Sequence, residues 1–123
     1  MTYEFVIPGR LPGLNDIIEA CREGKYVAAR QKQDAENMIM FYARSLPKLK
    51  EPVKLEYLWL EKARTRDWDN ISGGQKFVQD ALVKAHKLKN DGWNNICDVE
   101  HNYGVDKDNP RIIVTITDAE VED

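Results

Sequence analysis

The sequence VKLEYLWLEKARTRDWDNISGGQKFVQDALVKA, residues 53–85, carries the strongest structural signals in the chain. Its first part, Val53 to Leu60, alternates apolar or aromatic residues with polar ones, which is typical of a strand with a buried face. Its last part, Gln75 to Ala85, has apolar residues at helical spacing, so an amphipathic helix is predicted there. A strand followed by a helix indicates that both kinds of element share one core.

Similar patterns extend outward in both directions. Tyr3 to Pro8 alternates like a strand and is followed by proline and glycine turns, and Val27 to Ser45 has helical periodicity that ends before Pro47. Residues 112–116, IIVTI, are rich in β-branched residues and predict a final strand. The order is strand, helix, strand, helix, then one or two strands. We therefore expect an α+β fold, a small mixed sheet packed against about two helices, without a derivable strand order.

Composition limits the class of protein. The 123 residues are 42% hydrophobic and 32% charged, which fits one soluble globular domain spanning residues 1–123 and excludes two ordinary cores. No apolar run approaches the roughly 18 residues of a membrane span, and the N-terminus lacks the features of a signal peptide, so a cytoplasmic protein is expected. Cys21 and Cys97 lie in no metal-binding spacing and are predicted to be reduced, structural thiols.

The net charge of −3 hides an uneven distribution. Residues 22–54 contain eight basic and four acidic residues, a local charge of +4 that leaves −7 for the rest of the chain. A basic surface beside an acidic site suits a nuclease, although a solvated helix would give the same count. Residues 118–123 are expected to form a solvated acidic tail that contains Asp118, Glu120, Glu122 and Asp123.

Asp67 and Asp69 are candidate metal ligands. In an extended chain, residues two apart point to one side, so both carboxylates would share one volume while Trp68 points away. Their repulsion would be relieved by a hard cation such as Mg²⁺, which prefers oxygen ligands. Asp91 is the natural third ligand, because a helix followed by a loop can return the chain to where the helix began. The same Asp-x-Asp-Asn pattern also occurs in solvated turns and helix caps.

Several other site types are excluded or given a structural interpretation. A calcium loop beginning at Asp67 would place Val78 at its twelfth position, so an EF-hand is excluded. Neither His86 nor His101 has a metal-binding spacing. Lys76 with Asp80 has the spacing of an ordinary helical ion pair. The tryptophans are expected to be core or platform residues rather than base-stacking groups: Trp59, Trp68 and Trp93.

Five blocks together resemble the RusA-like Holliday junction resolvase family. They are VIPGRLPGLN at 6–15, RDWDN at 66–70, KFVQDAL at 76–82, NDGW at 90–93 and NPRIIVTI at 109–116, in the family's order over nearly the whole chain. Two departures are visible. Asn70 and Lys76 are separated by five residues where most members have two, and Asn90 precedes Asp91 where many members have two aspartates. The chain resembles a variant subgroup with a longer turn.

The resemblance implies a homodimer that resolves four-way DNA junctions by paired, symmetric nicks, in DNA recombination and repair. It implies Mg²⁺, with Mn²⁺ as a substitute, and no small-molecule substrate; the source would be a bacterium, phage or prophage. The catalytic residues carried over are Asp67, Asp69, Lys76 and Asp91, of which the three aspartates are the metal ligands. Asp80 is expected to contact the metal ligands without binding the metal, and Asn70 to fix the turn that carries them. Candidate DNA contacts are Asn15, Arg30, Lys32 and Arg66.

Competing interpretations remain. The fold and the DNA contact could be kept without catalysis, as in a junction-binding accessory protein, or the chain could be a structural α/β protein. Nucleases of other folds are disfavoured, since the chain has no HNH histidine set and Glu23-Gly24-Lys25 lacks a well-spaced upstream acid. Asp67→Asn separates a structural from a ligand role: the first predicts lost stability, the second lost cleavage with folding intact.

Overall fold

The computed structural model describes residues 1–119, which form four strands and four helices in an α+β fold. The predicted fold class is confirmed. In chain order the elements are β1 (Thr2–Pro8), α1 (Leu14–Glu23), α2 (Lys25–Tyr42), β2 (Val53–Glu61), α3 (Trp68–Ser72), α4 (Gln75–Lys84), β3 (Ile96–Val105) and β4 (Arg111–Thr117).

The sheet is mixed, with strand order β1-β4-β2-β3. β4 pairs antiparallel with both β1 and β2, whereas β3 pairs parallel with β2. A parallel neighbour requires a crossover connection, and α3 with α4 supplies it. Glu61 at the end of β2 is paired with Val105 at the end of β3, so both strands finish at the same edge of the sheet.

The core lies between one face of the sheet and two of the helices, α2 and α4. Alternate residues of β2 are almost completely buried because the strand is central and its side chains alternate between the faces. Helix α4 contributes Phe77, Val78, Ala81 and Leu82, and α2 contributes Ala35 and Ile39. Burying each large apolar side chain stabilises the fold by about 1.5–3 kcal/mol.

Three elements were not predicted from the spacing of apolar residues: α1, α3 and β3. α1 begins where the Gly13 N–H donates to the Asp16 carboxylate at 2.8 Å and ends at Gly24, whose φ of 146° strongly favours glycine. The five-residue α3 is too short to show a period. β3 is an edge strand with half of its residues exposed, so its apolar alternation is weak.

Asp118 is not part of a solvated tail. Its side chain is buried, because the carboxylate pairs with the N-terminal amine at 3.2 Å and accepts the Lys50 N–H at 3.2 Å. The tail prediction is therefore wrong for this residue. The remaining acidic residues of that prediction lie outside the described residues: Glu120, Glu122 and Asp123.

Cys21 and Cys97 are free thiols, as predicted, and both are exposed, which does not support a structural role. Among residues 1–119, no helix has the length and apolarity needed to span a membrane.

Candidate functional site

Asp67 and Asp69 lie at the N-terminus of α3, just past the end of β2. Asp67 is the N-cap residue with extended backbone angles, but its side chain makes no capping hydrogen bond. Asp69 is already helical, so the extended-chain argument for two carboxylates on one side does not apply. Both side chains are exposed, and within residues 1–119 neither forms an ion pair.

Asp91 lies on a different surface. The chain after α4 does not return to the start of the helix, because Leu88 is buried and the Lys87 carbonyl accepts the Leu49 N–H at 2.9 Å. The Lys89 N–H also donates to Glu51, which precedes β2. β2 has nine residues, roughly 26 Å of strand, so Asp91 is near the beginning of β2 while Asp67 follows its end. The predicted return of the chain is wrong.

The cavity at Asp91 holds about 610 Å³ and is lined by α2 and α4. Its two other carboxylates already have cationic partners. Asp80 contacts Lys76 at 3.2 Å and Lys32 at 3.8 Å, and the buried Glu36 contacts Lys84 at 3.6 Å. The predicted helical pair of Lys76 and Asp80 is therefore confirmed, and the cavity is nearly balanced in charge.

The three predicted metal ligands do not converge on one magnesium ion in this arrangement. Mg²⁺ requires oxygen ligands at 2.0–2.1 Å in near-octahedral geometry. Asp67 and Asp91 line separate cavities, and residues 1–119 contain no group of three or more histidine, cysteine, aspartate or glutamate side chains placed to hold a metal. The single chain thus presents two acidic surfaces rather than one assembled centre.

Arg66, a predicted DNA contact, is instead enclosed by protein groups. Its guanidinium donates to both carboxylate oxygens of Glu61, at 2.8 and 2.9 Å, and to the Leu11 carbonyl at 3.2 Å. The Asp16 carboxylate Oδ2 is 3.8 Å from Arg66 Nη1. The Arg66 and Glu61 side chains are only 9% and 8% exposed. The pair joins the end of β2 to the loop before α1 and leaves little of the guanidinium for phosphate.

Asn70 and the adjacent glycines join α3 to α1. The Asn15 N–H donates to Asn70 Oδ1 at 2.9 Å, so the Asn70 side chain holds the first turn of α1. A Cβ on Gly73 would lie 2.7 Å from the Leu14 backbone nitrogen. Gly73 and Gly74, which lengthen the turn, separate α3 from α4. Because Gly73 has no side chain, α3 can approach α1 closely.

An open cleft of about 680 Å³ lies at the end of β2 and β3, beside Asp67. Trp68 borders it and is 69% exposed, with its indole stacked on the Tyr103 ring at 4.9 Å and 2° between planes. Exposed cations surround the adjoining surface. We call Arg10, Lys62 and Arg64 the basic rim; within residues 1–119 none of the three forms an ion pair.

Aromatic rings continue inward from the cleft along β2 and β3. Tyr103 is followed by His101, which stacks against both Tyr57 and Trp59. The Trp59 indole N–H donates to His101 Nδ1 at 2.9 Å, so Nε2 carries the proton and donates to Gln75 at 2.8 Å. Burial lowers the pKa of the His101 imidazole, and a second proton on Nδ1 would oppose the Trp59 donor.

The predicted site residues thus separate into two groups. Asn15, Asp67, Asp69 and Asn70 lie around α3, whereas Lys32, Lys76, Asp80 and Asp91 lie around the charge-balanced cavity; Arg30 is exposed on α2. Of the tryptophans, only Trp59 is in the core, while Trp68 and Trp93 are 69% and 98% exposed. Neither the basic rim nor Tyr103 was predicted from the sequence. The alternating cations of KARTR, residues 62–66, directly before the aspartates, were the available signal.

No protein-family model matches the chain, and a search of characterised proteins finds no significant match.

Proposed function

We propose that this protein is a structure-specific endodeoxyribonuclease that cuts four-way DNA junctions. One observation carries the proposal: Asp67 and Asp69, exposed and without cationic partners among residues 1–119, lie at the same end of the sheet as the basic rim. The order of the five sequence blocks supports the same function. The activity would serve DNA recombination and repair in the cytoplasm, and the source would be bacterial, phage or prophage.

The electrostatics of this surface favour hydrolysis over binding alone. Lys and Arg side chains attract DNA because each phosphate contact releases condensed counterions. Two exposed carboxylates beside those cations oppose the approach of phosphate unless a cation neutralises them. A surface used only to bind DNA gains nothing from Asp67 and Asp69, whereas in a nuclease one or two carboxylates could hold a divalent metal that polarises the scissile phosphate.

A second candidate is a junction-binding accessory protein without catalysis. The separation of Asp91 from Asp67 and Asp69 favours it, because the carboxylates implied by the resemblance do not meet in one chain. The two candidates share the basic rim and the cleft, so DNA binding does not distinguish them. Cleavage of the junction distinguishes them, because only the nuclease cuts it.

Paired nicks require two sites, so we also propose a homodimer. The sheet face opposite the helices carries half-exposed Leu58, Leu60 and Ile113. Apolar residues on an uncovered sheet face favour burial against a second copy. Sedimentation velocity should show a dimer that Ile113→Glu converts to a folded monomer; an unchanged dimer would place the interface elsewhere.

The test of function is incubation of a synthetic four-way junction and a linear duplex of matched length with wild type, in Mg²⁺, Mn²⁺ or EDTA. We expect nicks in the junction alone, absent in EDTA and reduced at least about 100-fold by Asp69→Asn, as for other groups acting directly in catalysis. Asp34→Asn is the matched control, because Asp34 is exposed on α2 and has no ion pair in residues 1–119. A folded wild type that binds the junction and never cuts it supports the accessory protein instead.

A further inference from the structure

Trp68 stacks on a neighbouring aromatic ring although it is mostly exposed. Parallel stacking on Tyr103 covers one face of the indole and leaves the opposite face to solvent. Trp93 is a useful contrast, since it is 98% exposed and takes part in no aromatic stack within the described part of the chain. Large exposed aromatic rings with a defined orientation are typical of binding surfaces.

The indole is also the outer ring of a continuous ladder. Inward from Trp68 come Tyr103, His101 and then Tyr57 with Trp59, with successive planes inclined by no more than 23°. A planar ring placed on the free face of Trp68 would extend this ladder by one step. Every nucleobase has such a face, and stacking on an aromatic side chain is tolerant of base identity.

The surroundings favour a base that carries phosphate. Arg64 lines the same cleft as Trp68, and Lys62 with Arg10 lines the neighbouring cavity on the other side of Ala63. The two cavities share Glu61 and Ala63 in their linings, so the three cations border the surface next to Trp68. A base inside a duplex has neighbours on both faces, so only an unstacked base has a face to offer the indole.

We propose that Trp68 stacks on an unpaired nucleobase of the DNA while the basic rim holds the flanking phosphates. This inference rests on the proposed DNA substrate but not on cleavage. The exposed face of Trp68 would then recognise a place where base stacking is disrupted, as at the branch point of a junction. Recognition of this kind selects the structure of the DNA and does not depend on its base sequence.

The probe is a duplex with one extrahelical 2-aminopurine, compared with the same duplex fully paired, both in EDTA so that no strand is cut. Wild type should quench the probe fluorescence and bind the bulged duplex more tightly. Trp68→Ala should lose the quenching and about 5- to 150-fold in affinity for the bulged duplex, with little change for the paired one. Trp68→Phe should retain most of both signals, and Trp93→Ala should match wild type.

Circular dichroism of each variant checks folding before binding is measured. Equal affinity and quenching for Trp68→Ala and wild type would overturn the proposal and leave the ring as a packing partner of Tyr103. Failure of wild type to bind either duplex would overturn it too. Trp68-dependent quenching without junction cleavage in Mg²⁺ would refute the nuclease and keep this inference, whereas cleavage without Trp68-dependent quenching would do the reverse.

Discussion

The ion pair between Arg66 and Glu61 offers the sharpest test of how the cleft is built. We expect Arg66→Met to lower the free energy of unfolding by roughly 3–5 kcal/mol, because it leaves the buried Glu61 carboxylate without its partner. The structure accounts for this size: two charge-assisted hydrogen bonds of 2.8 and 2.9 Å are lost, and both side chains are less than 10% exposed. Such a loss is a large part of the 5–15 kcal/mol stability of a typical domain.

The assay is urea unfolding followed by tryptophan fluorescence and far-ultraviolet circular dichroism. Glu61→Leu and the double variant complete a double-mutant cycle. The loss in free energy of unfolding should be smaller for the double variant than the summed losses of the two single variants, by roughly 2 kcal/mol. The reason is that removing both charges leaves neither one buried alone.

Arg64→Met is the matched control, because Arg64 is exposed and forms no ion pair within residues 1–119. Its stability should stay within about 0.5 kcal/mol of wild type, while its affinity for DNA falls. A loss under about 1 kcal/mol for Arg66→Met would contradict a stabilising pair between Arg66 and Glu61. If folded Arg66→Met loses as much DNA affinity as Arg64→Met, Arg66 is a phosphate contact instead.

Three further changes test other parts of the structure. Gly73→Ala should cost about 1–3 kcal/mol in urea unfolding, because its Cβ would clash with α1, whereas Gly92→Ala has room and should be nearly neutral. The lowered pKa of His101 means that the unfolded state binds more protons, so the free energy of unfolding should fall as pH drops below about 6.5. His101→Gln should remove that dependence; an unchanged slope would implicate other groups. Asp118→Ala should lower the free energy of unfolding by about 1–3 kcal/mol, since it removes the carboxylate that accepts the Lys50 N–H and pairs with the N-terminal amine; an unchanged melting temperature in thermal denaturation would contradict this.

Much of the fold follows from local patterns. The strands at residues 3–8, 53–60 and 112–116 and the helix at 75–85 were predicted to within one or two residues, because alternation and helical spacing are strong where one face is buried. The helix predicted over 27–45 is α2, which begins and ends two or three residues earlier. α1 was missed although its sequence is amphipathic and Asp16 caps it locally through the Gly13 N–H. Its contact with Asn70, 55 residues from Asn15, is a tertiary interaction that no local pattern encodes.

The candidate site was harder to predict for a geometric reason. The spacing of Asp67 and Asp69 implies convergence only if the chain is extended, and the chain becomes helical at Trp68. The position of Asp91 depends on the burial of Leu88 and on loop hydrogen bonds near Leu49, which are tertiary interactions. The basic rim is assembled from two loops that meet only in the folded protein.

The most direct measurement of the central claim is a strand-by-strand map of the nicks in a four-way junction. Each of the four strands is labelled in turn and incubated with wild type in Mg²⁺, and the products are resolved on a denaturing gel. The proposed function predicts nicks at symmetric positions in two opposing strands and none in the matched linear duplex. Intact strands under conditions where the junction is fully bound, or equal cutting of the linear duplex, would contradict it.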